Sequence, residues 1–226
     1  MIRCAGVGAR LGQREVLRGV TLDLDARTVA VIGDNGSGKS TFVRLVAGLV
    51  RPSVGDLCVL GLDPQRDAAE LRRRVALVLS NPDAQIVMPT VADDVALSLR
   101  PARLDRGERD RRVAAALARL GLSAFADRPS HDLSGGQKQL LALCGAFVRE
   151  PDLVVADEPT ASLDARNARL VADHLLADTG HALLMVTHDL TLARRCERAL
   201  LFADGRVVAS GIAVDVVDAY EAALVC

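Results

Sequence analysis

The chain has 226 residues, half of them hydrophobic, and a formal net charge of −1. This length suits one α/β domain with a substantial core and leaves little room for a second domain. The near-zero charge offers no general attraction to nucleic acid or to anionic lipid. No run of eighteen residues is free of charge, so we expect no membrane-spanning segment.

The N-terminal residues and the cysteines bear on where the protein works. Residues 1–5 lack the apolar core of a signal peptide. The five cysteines are scattered and include no C-x-x-C pair, a pattern typical of incidental thiols in a reducing compartment rather than of a metal cluster. We therefore expect the chain to be cytoplasmic.

The first predicted elements in chain order are strands. The segment to Asp25 and the stretch from Gly55 to Leu60 predict an antiparallel layer. Val29 to Ile32 is an apolar, largely β-branched run that ends at Gly33, and Ser40 to Gly48 predicts a helix. A strand, a glycine turn and a helix thus follow one another, which is the order that a phosphate-binding loop requires.

The turn between that strand and that helix carries a phosphate-binding signature. It reads Gly33-Asp34-Asn35-Gly36-Ser37-Gly38-Lys39-Ser40-Thr41 and matches G-x-x-x-x-G-K-[ST]. In this pattern backbone N–H groups face the phosphates of ATP, Lys39 reaches the terminal phosphates, and the Ser40 hydroxyl meets Mg²⁺. The N-terminus of the following helix adds a favourable dipole. We predict that these residues bind ATP.

The middle of the chain predicts a sheet strand followed by helices. Val75 to Leu79 is a candidate buried strand, and residues 91–129 are predicted to form a helical subdomain inserted between two sheet strands. Arg111 to Leu120 lies in that subdomain as a predicted helix. The arginines there are mixed with acids, which indicates solvated helix faces rather than a nucleic-acid site.

A second anion-binding signature follows the helical segment. It reads Leu133-Ser134-Gly135-Gly136-Gln137 and opens a helix predicted to run to Phe147. Ser134 suits the N-cap, and the two glycines let the backbone and the helix dipole approach an anion closely. One nucleotide needs only one cradle. We therefore predict that Ser134 to Gln137 contact the ATP of another copy, so that two ATP molecules are sandwiched in a head-to-tail dimer. A dimer with a paralogous partner stays open as an alternative to a homodimer.

Two carboxylates come at the end of the next predicted strand. Leu153 to Ala156 delivers Asp157 and Glu158 to the carboxyl edge of the sheet, where open α/β sheets bind ligands. We expect Asp157 to hold Mg²⁺ through water and Glu158 to polarise the attacking water. Strand alternation is expected to turn the two side chains in different directions.

His188 completes the series of candidate site residues. It follows the predicted strand Ala182 to Val186, so we place it at the same sheet edge as Glu158. There it can donate a hydrogen bond to the γ-phosphate or to the catalytic water. The other three histidines are interpreted as structural. Ala199 to Phe202 and Arg206 to Ala209 predict a hairpin after it.

In this order and spacing the motifs resemble the nucleotide-binding subunit of ATP-binding cassette (ABC) transporters, and the resemblance covers residues 1–226 as a single domain. It implies an α/β fold with a P-loop NTPase core, a mainly parallel sheet, a flanking antiparallel β layer and the inserted helical subdomain. It also implies that ATP closes the dimer, that Glu158 is the general base, and that His188 senses the γ-phosphate. Asp164 would lie in the loop that couples the two active sites.

Residues 80–96 are similar to a narrower group within that family. They contain N-P-D-A-Q at 81–85 and T-V-A-D-D-V-A at 90–96, which match patterns of energy-coupling-factor importers. These importers take up vitamins and transition-metal ions, and residues 86–91 most resemble the ATPase of bacterial biotin uptake. The resemblance implies a transmembrane coupling subunit and a substrate-binding membrane subunit as partners, and a peripheral location at the cytoplasmic face of the membrane. Cobalt and nickel stay open as alternatives to biotin.

Two residues depart from the pattern of the family. Ser80 stands where the family usually has a glutamine that reaches Mg²⁺ and the attacking water, and Gln85 is expected to face the membrane partner. Leu11 stands where the family stacks an aromatic ring on adenine, so we expect loose base selectivity at Leu11. These departures keep open a regulatory subunit with impaired hydrolysis. A cassette ATPase acting on DNA or ribosomes is disfavoured, because the chain has neither a long coiled-coil insertion nor a second cassette.

Overall fold

The structure, a computed structural model, describes residues 1–177 and 180–224, so Cys226 lies outside the described residues. The strands in this part are β1 (Ile2–Leu11), β2 (Arg14–Leu24), β3 (Thr28–Gly33), β4 (Val54–Val59), β5 (Val75–Leu79), β6 (Leu153–Asp157), β7 (Ala182–Val186), β8 (Arg198–Ala203) and β9 (Arg206–Ile212). The α-helices are α1 (Lys39–Val46), α2 (Ala68–Arg74), α3 (Val91–Ser98), α4 (Arg106–Arg119), α5 (Gly135–Phe147), α6 (Ala165–Leu176), α7 (Leu190–Ala193) and α8 (Ala213–Leu224).

The larger sheet has six strands in the order β5-β6-β7-β3-β8-β9. The first five of these are parallel, and β9 pairs antiparallel with β8. Every residue of β3 and β6 is buried, as expected for strands covered on both faces. The α/β class with a mainly parallel sheet is therefore confirmed. Because parallel strands end at one edge, the segments after β3, β6 and β7 lie side by side.

The smaller sheet is antiparallel, in the order β2-β1-β4, and forms the predicted flanking layer. A hydrophobic core lies between this sheet, α1 and one face of the larger sheet. Successive residues of β3 alternate between the two faces of the larger sheet: Val29 and Val31 belong to this core, whereas Ala30 and Ile32 belong to the other one. The phosphate-loop strand is thus held from both sides.

The helices α3, α4 and α5 contribute to the second core, on the opposite face of the larger sheet. The segment before α3 is tied to this group by hydrogen bonds. The buried carboxylate of Asp94 accepts bonds from the backbone N–H groups of Val87, at 2.8 Å, and Met88, at 3.0 Å. Ser130 Oγ donates to the Met88 carbonyl at 2.7 Å. These bonds give the segment a defined shape although it contains little regular structure.

Several element bounds differ little from the predicted ones. β5 and β7 have the predicted bounds, and α1 is followed by Gly48 with a φ of 71°, the conformation that favours glycine after a helix. Helix α4 begins earlier than predicted because Asp105 caps it, accepting a hydrogen bond from the Glu108 N–H at 3.0 Å. Within the described residues, no helix combines the length and the apolar character needed to cross a bilayer.

Candidate functional site

The phosphate loop joins the end of β3 to the start of α1 at the carboxyl edge of the larger sheet. Its glycines are required by the local backbone. Gly33 and Gly38 have φ of 130° and 107°, and a Cβ at residue 38 would lie 2.6 Å from Leu17 Cδ2. A Cβ at Gly33 would overlap the carbonyl of Phe202 in β8. The loop therefore packs closely on the strands behind it.

Lys39 lies at the mouth of this loop. Its Nζ donates hydrogen bonds to the carbonyls of Gly33, at 2.7 Å, and Asp34, at 2.9 Å, and the residue is only 6% exposed. Burial lowers the pKa of the ammonium, and the charges of Glu158, Asp34 and Asp157 oppose this shift. Three carboxylates thus act on the charge of Lys39, whose ammonium bonds back to its own loop.

Ser40 and Asp157 place two oxygen atoms side by side. Ser40 Oγ donates to Asp157 Oδ1 at 3.0 Å, and Asp157 is 7% exposed. Arg44 Nη2 lies 4.0 Å from the other carboxylate oxygen. A hydroxyl and a carboxylate are the hard oxygen ligands that Mg²⁺ prefers. The donor set at this position therefore fits the predicted magnesium ion.

Glu158 lies directly after β6 in an unusual backbone conformation, with a φ of 53°. Its N–H donates to the Val186 carbonyl at 3.0 Å. This left-handed turn, rather than the strand alternation that we had expected, directs Glu158 away from Asp157, because β6 ends at Asp157. The reason given from sequence for the separation of the two carboxylates was therefore wrong.

His188 and Glu158 contact each other directly, which sequence reasoning did not anticipate. The backbone N–H of His188 donates to Glu158 Oε2 at 3.2 Å, and His188 Nε2 lies 3.2 Å from Oε1. Among the described residues Oε1 is buried and forms no hydrogen bond, so the short distance to the ring lacks hydrogen-bond geometry. One carboxylate oxygen is thus held by a backbone N–H, and the other lies against the imidazole ring.

An open cleft of about 530 Å³ brings nine of the predicted site residues together. Leu11, residues of the phosphate loop, Glu158 and His188 line it, and Leu11 is 47% exposed. Arg14 and Val16 also line the cleft, and sequence reasoning missed both. Their position in the strand that pairs with the strand of Leu11 was the available signal.

Not every residue of the phosphate loop faces this cleft. Gly33, Asp34 and Ser37 do not line it. Ser37 is buried, and its backbone binds on both sides: its N–H donates to the Asp34 carbonyl at 3.2 Å, and its carbonyl accepts from the Gly205 N–H at 3.0 Å. The backbone of Ser37 therefore ties the loop to Gly205, between β8 and β9.

The second signature is built as a capped helix start. Ser134 caps α5, its Oγ accepting from the Gln137 N–H at 3.4 Å, and Gln137 Oε1 accepts from the Ser134 N–H at 2.9 Å. The two glycines differ in their surroundings. Gly135 is exposed, whereas Gly136 is buried against the carboxamide of Asn167. None of the residues 134–137 lines the cleft of the same chain.

Asp164 caps the helix α6 that carries Asn167. Its carboxylate accepts from the Asn167 backbone N–H at 2.9 Å and from Nδ2 at 2.6 Å. These bonds lower the pKa of the Asp164 carboxyl. The loop that starts at Glu158 is thereby joined, through Asn167, to the glycine of the second signature. Sequence reasoning singled out Asp164 but not Asn167.

The segment after β5 corrects one expectation. Ser80 is exposed, but Gln85 does not face outward: its Oε1 accepts from the Leu79 N–H at 2.7 Å, and its Nε2 donates to the Leu77 carbonyl at 2.9 Å. The side chain therefore bonds to β5 as another strand would. Gln139 of α5, which is 1% exposed, donates to the Leu79 carbonyl at 3.0 Å. The signature helix thus bonds directly to the end of β5, where this segment begins.

Together, the parallel sheet, the phosphate loop and the paired carboxylates define a nucleotide-hydrolysing P-loop enzyme. The chain belongs to the ABC transporter family, whose sequence profile matches residues 17–161. It is accordingly an ATP-binding ABC ATPase, as the motifs predicted.

Named relatives agree with this assignment. The biotin transport ATP-binding protein BioM of Rhizobium etli is 38% identical over 220 residues, which cover 97% of each chain. The structure of cbiO1 from Clostridium perfringens, part of the ABC transporter complex cbiONQ, matches with a TM-score of 0.87 at 28% identity and covers 98% of this chain and 92% of that one. An ATP-binding cassette solved as a dimer in a post-hydrolysis state, bound to ADP and phosphate, matches with a TM-score of 0.82 at 27% identity, covering 94% and 99%.

Proposed function

We propose that the chain is the ATPase of an energy-coupling-factor importer and that biotin is the imported solute. The observation that carries this proposal is the similarity to BioM of Rhizobium etli, which extends over 97% of both chains. The N-P-D-A-Q and T-V-A-D-D-V-A patterns within residues 81–96 support it. Cobalt or nickel ions are the second candidate, because the same patterns occur in importers of transition-metal ions.

ATP would be held mainly by the phosphate loop. Backbone N–H groups of the loop and the N-terminus of α1 would bind the phosphates. Lys39 Nζ, which bonds to two carbonyls of the loop, would bond to phosphate oxygens instead when ATP is present. Ser40 and Asp157 would hold Mg²⁺, which neutralises phosphate charge when bound. Leu11 and Val16 would contact the base from the cleft wall.

Glu158 is proposed as the general base. Glu158 lines the cleft, where its carboxylate can accept a proton from the attacking water. The backbone N–H of His188 holds Oε2 at 3.2 Å and so fixes the direction of the carboxylate. The His188 ring lies beside the same carboxylate and lines the cleft, where it can donate to the γ-phosphate.

A second copy of the chain would complete each site. Ser134 and the exposed Gly135 lie at the N-terminus of the thirteen-residue helix α5, which suits a phosphate, but they are not part of the cleft in their own chain. A dimer of two such chains, with ATP between the phosphate loop of one and the signature of the other, uses both elements. The dimeric cassette with a TM-score of 0.82 supports this arrangement.

The membrane subunits would bind beside the segment after β5. Met88, Ala92 and Ala96 form one wall of a groove of about 550 Å³, and Val113 and Leu117 of α4 form the other. Arginines and aspartates also line this groove. A helix of the coupling subunit with apolar and charged residues would fit it. The chain would then lie at the cytoplasmic face of the membrane as a peripheral subunit.

Transport assays test the choice of solute. The chain is co-expressed with its candidate membrane subunits in cells that cannot make biotin, and uptake of labelled biotin, cobalt and nickel is measured. We expect biotin uptake with wild type and none with Glu158→Gln. The Asp215→Asn variant is the control. It also replaces an acid by its amide, but Asp215 is exposed on α8 and does not line the cleft. Uptake of metal ions but not of biotin would contradict the proposal.

A further inference from the structure

The C-terminal helix of the described residues contacts the phosphate loop through one side chain. The hydroxyl of Tyr220, in α8, donates a hydrogen bond to Asp34 Oδ1 at 2.6 Å. Asp34 is the residue directly after Gly33, the first glycine of the loop. The bond therefore links two parts of the chain that are 186 residues apart in sequence.

The carboxylate of Asp34 is a liability for a site that binds a polyphosphate. It lies near enough to Lys39 to favour the charged form of that ammonium, although burial has the larger and opposite effect on the Lys39 pKa. Because the lysine binds the phosphates, a carboxylate close enough to act on the lysine is also close enough to repel those phosphates. Yet its side chain does not line the cleft, whereas the neighbouring Asn35 does.

Helix α8 holds the hydroxyl of Tyr220 in a defined place. Ala213, Val216 and Val217 of this helix are buried in the core. On the polar side, the guanidinium of Arg194 pairs with Asp218 and, at 2.7 Å, with Glu221. The helix is thus anchored on both sides of Tyr220, so its hydroxyl can position the Asp34 carboxylate rather than follow it.

We propose that Tyr220 is a positioning residue for ATP binding: it holds the Asp34 carboxylate outside the cleft, so that this negative charge does not face the phosphates. The inference rests on the ATP binding of the family and is independent of the imported solute. It gives α8 a role in nucleotide binding, although α8 lies outside all of the sequence motifs. It also explains how an acidic residue is accommodated inside a phosphate-binding loop.

Nucleotide affinity in a double-mutant cycle tests the proposal. ATP binding is measured by titration calorimetry, and KM and kcat are measured in parallel, for wild type, Tyr220→Phe, Asp34→Asn and the double variant. We expect Tyr220→Phe to weaken ATP binding about fivefold and to raise KM equally, the size expected from one like charge near a water-exposed site, with kcat little changed. High salt should shrink this difference. In the Asp34→Asn background the same substitution should change affinity less than twofold.

The control and the contrary outcomes follow from the geometry. Asp215→Asn, an acid-to-amide change elsewhere on α8, should leave ATP affinity as in wild type. The proposal is overturned if Tyr220→Phe binds ATP within twofold of wild type, or if it weakens binding equally in the Asp34→Asn background. If Tyr220→Phe does not fold, Asp34→Asn alone decides, because the proposal requires it to bind ATP at least as tightly as wild type.

Discussion

The backbone of Gly136 lies against the side-chain carboxamide of Asn167. A Cβ at residue 136 would stand 2.6 Å from Asn167 Nδ2 and 2.7 Å from Oδ1, whereas a Cβ at Gly135 would meet nothing within 4 Å. The second glycine of the signature is therefore required by a contact inside the chain. The first glycine meets no such contact among the described residues.

The Gly136–Asn167 contact predicts a specific coupling in stability. Gly136→Ala should destabilise the chain by about 1–3 kcal/mol, because the added methyl group overlaps the carboxamide. Asn167→Ala removes that carboxamide, so Gly136→Ala should cost much less in the double variant. Urea denaturation of the four chains measures the interaction energy. Equal costs of Gly136→Ala in both backgrounds would show that the contact does not determine the glycine.

Gly135 should behave in the opposite way. Gly135→Ala should leave the free energy of unfolding unchanged or raise it by up to about 1 kcal/mol, because alanine is the better helix former and space is open. The same methyl group should prevent close approach of a second copy with its ATP. Light scattering after chromatography with ATP, in the Glu158→Gln background, should show monomers. ATP-dependent dimers of normal affinity would argue against the head-to-tail arrangement.

The hydroxyl of Tyr220 can be titrated alone, because it is the single tyrosine of a chain without tryptophan. The hydrogen bond to Asp34, together with burial, raises the pKa of Tyr220 to about 12, above the usual value of about 10. Since the folded value is the higher one, the stabilisation is fully present below about pH 10 and is lost as the pH rises through about 12.

Two measurements follow from this shift. Phenolate absorbance, recorded while circular dichroism confirms that the chain is folded, should have a midpoint well above 10 in wild type and a lower one in Asp34→Asn. Tyr220→Phe should lower the free energy of unfolding by about 1 kcal/mol at neutral pH, and the difference should fall above pH 10. A midpoint near 10 in the folded wild-type chain would rule out the bond in solution.

Gln85 offers a test of whether its side chain serves the fold or the membrane partner. Its two hydrogen bonds to β5 predict that Gln85→Ala loses about 1–2 kcal/mol of stability, because Leu79 N–H and Leu77 C=O lose their partner. Gln65→Ala, at an exposed position, is the matched control. Thermal unfolding of both variants decides. A stable Gln85→Ala chain that fails only with membrane subunits would restore the expectation drawn from the sequence.

The parts of the fold that sequence predicted well are those with local causes. The apolar runs of β5 and β7 are buried strands with the expected bounds, and the glycines of the phosphate loop adopt conformations that glycine favours. In each case the signal lies in adjacent residues. The family and its ATPase activity followed from the order of such local signals, and the profile match over residues 17–161 agrees.

The parts that were missed depend on contacts between distant residues. Glu158 and His188 were placed at one sheet edge, but their direct contact across 30 positions follows from the left-handed turn at Glu158. Gln85 was expected to point outward. Its partners in β5 are backbone groups, which every residue has, so the sequence does not reveal these bonds. The bond between Tyr220 and Asp34 likewise depends on the docking of α8, which no motif contains.

The ATPase rate and the oligomeric state, measured together for wild type and Glu158→Gln, test the account most directly. We expect wild type to hydrolyse ATP with Mg²⁺, and Glu158→Gln to lose about a hundredfold or more of that rate, because a carboxamide cannot take the proton of the attacking water. The variant should also accumulate ATP-dependent dimers. If Glu158→Gln hydrolyses ATP as fast as wild type, or stays monomeric with ATP, the account of a two-chain ATPase with Glu158 as its base is contradicted.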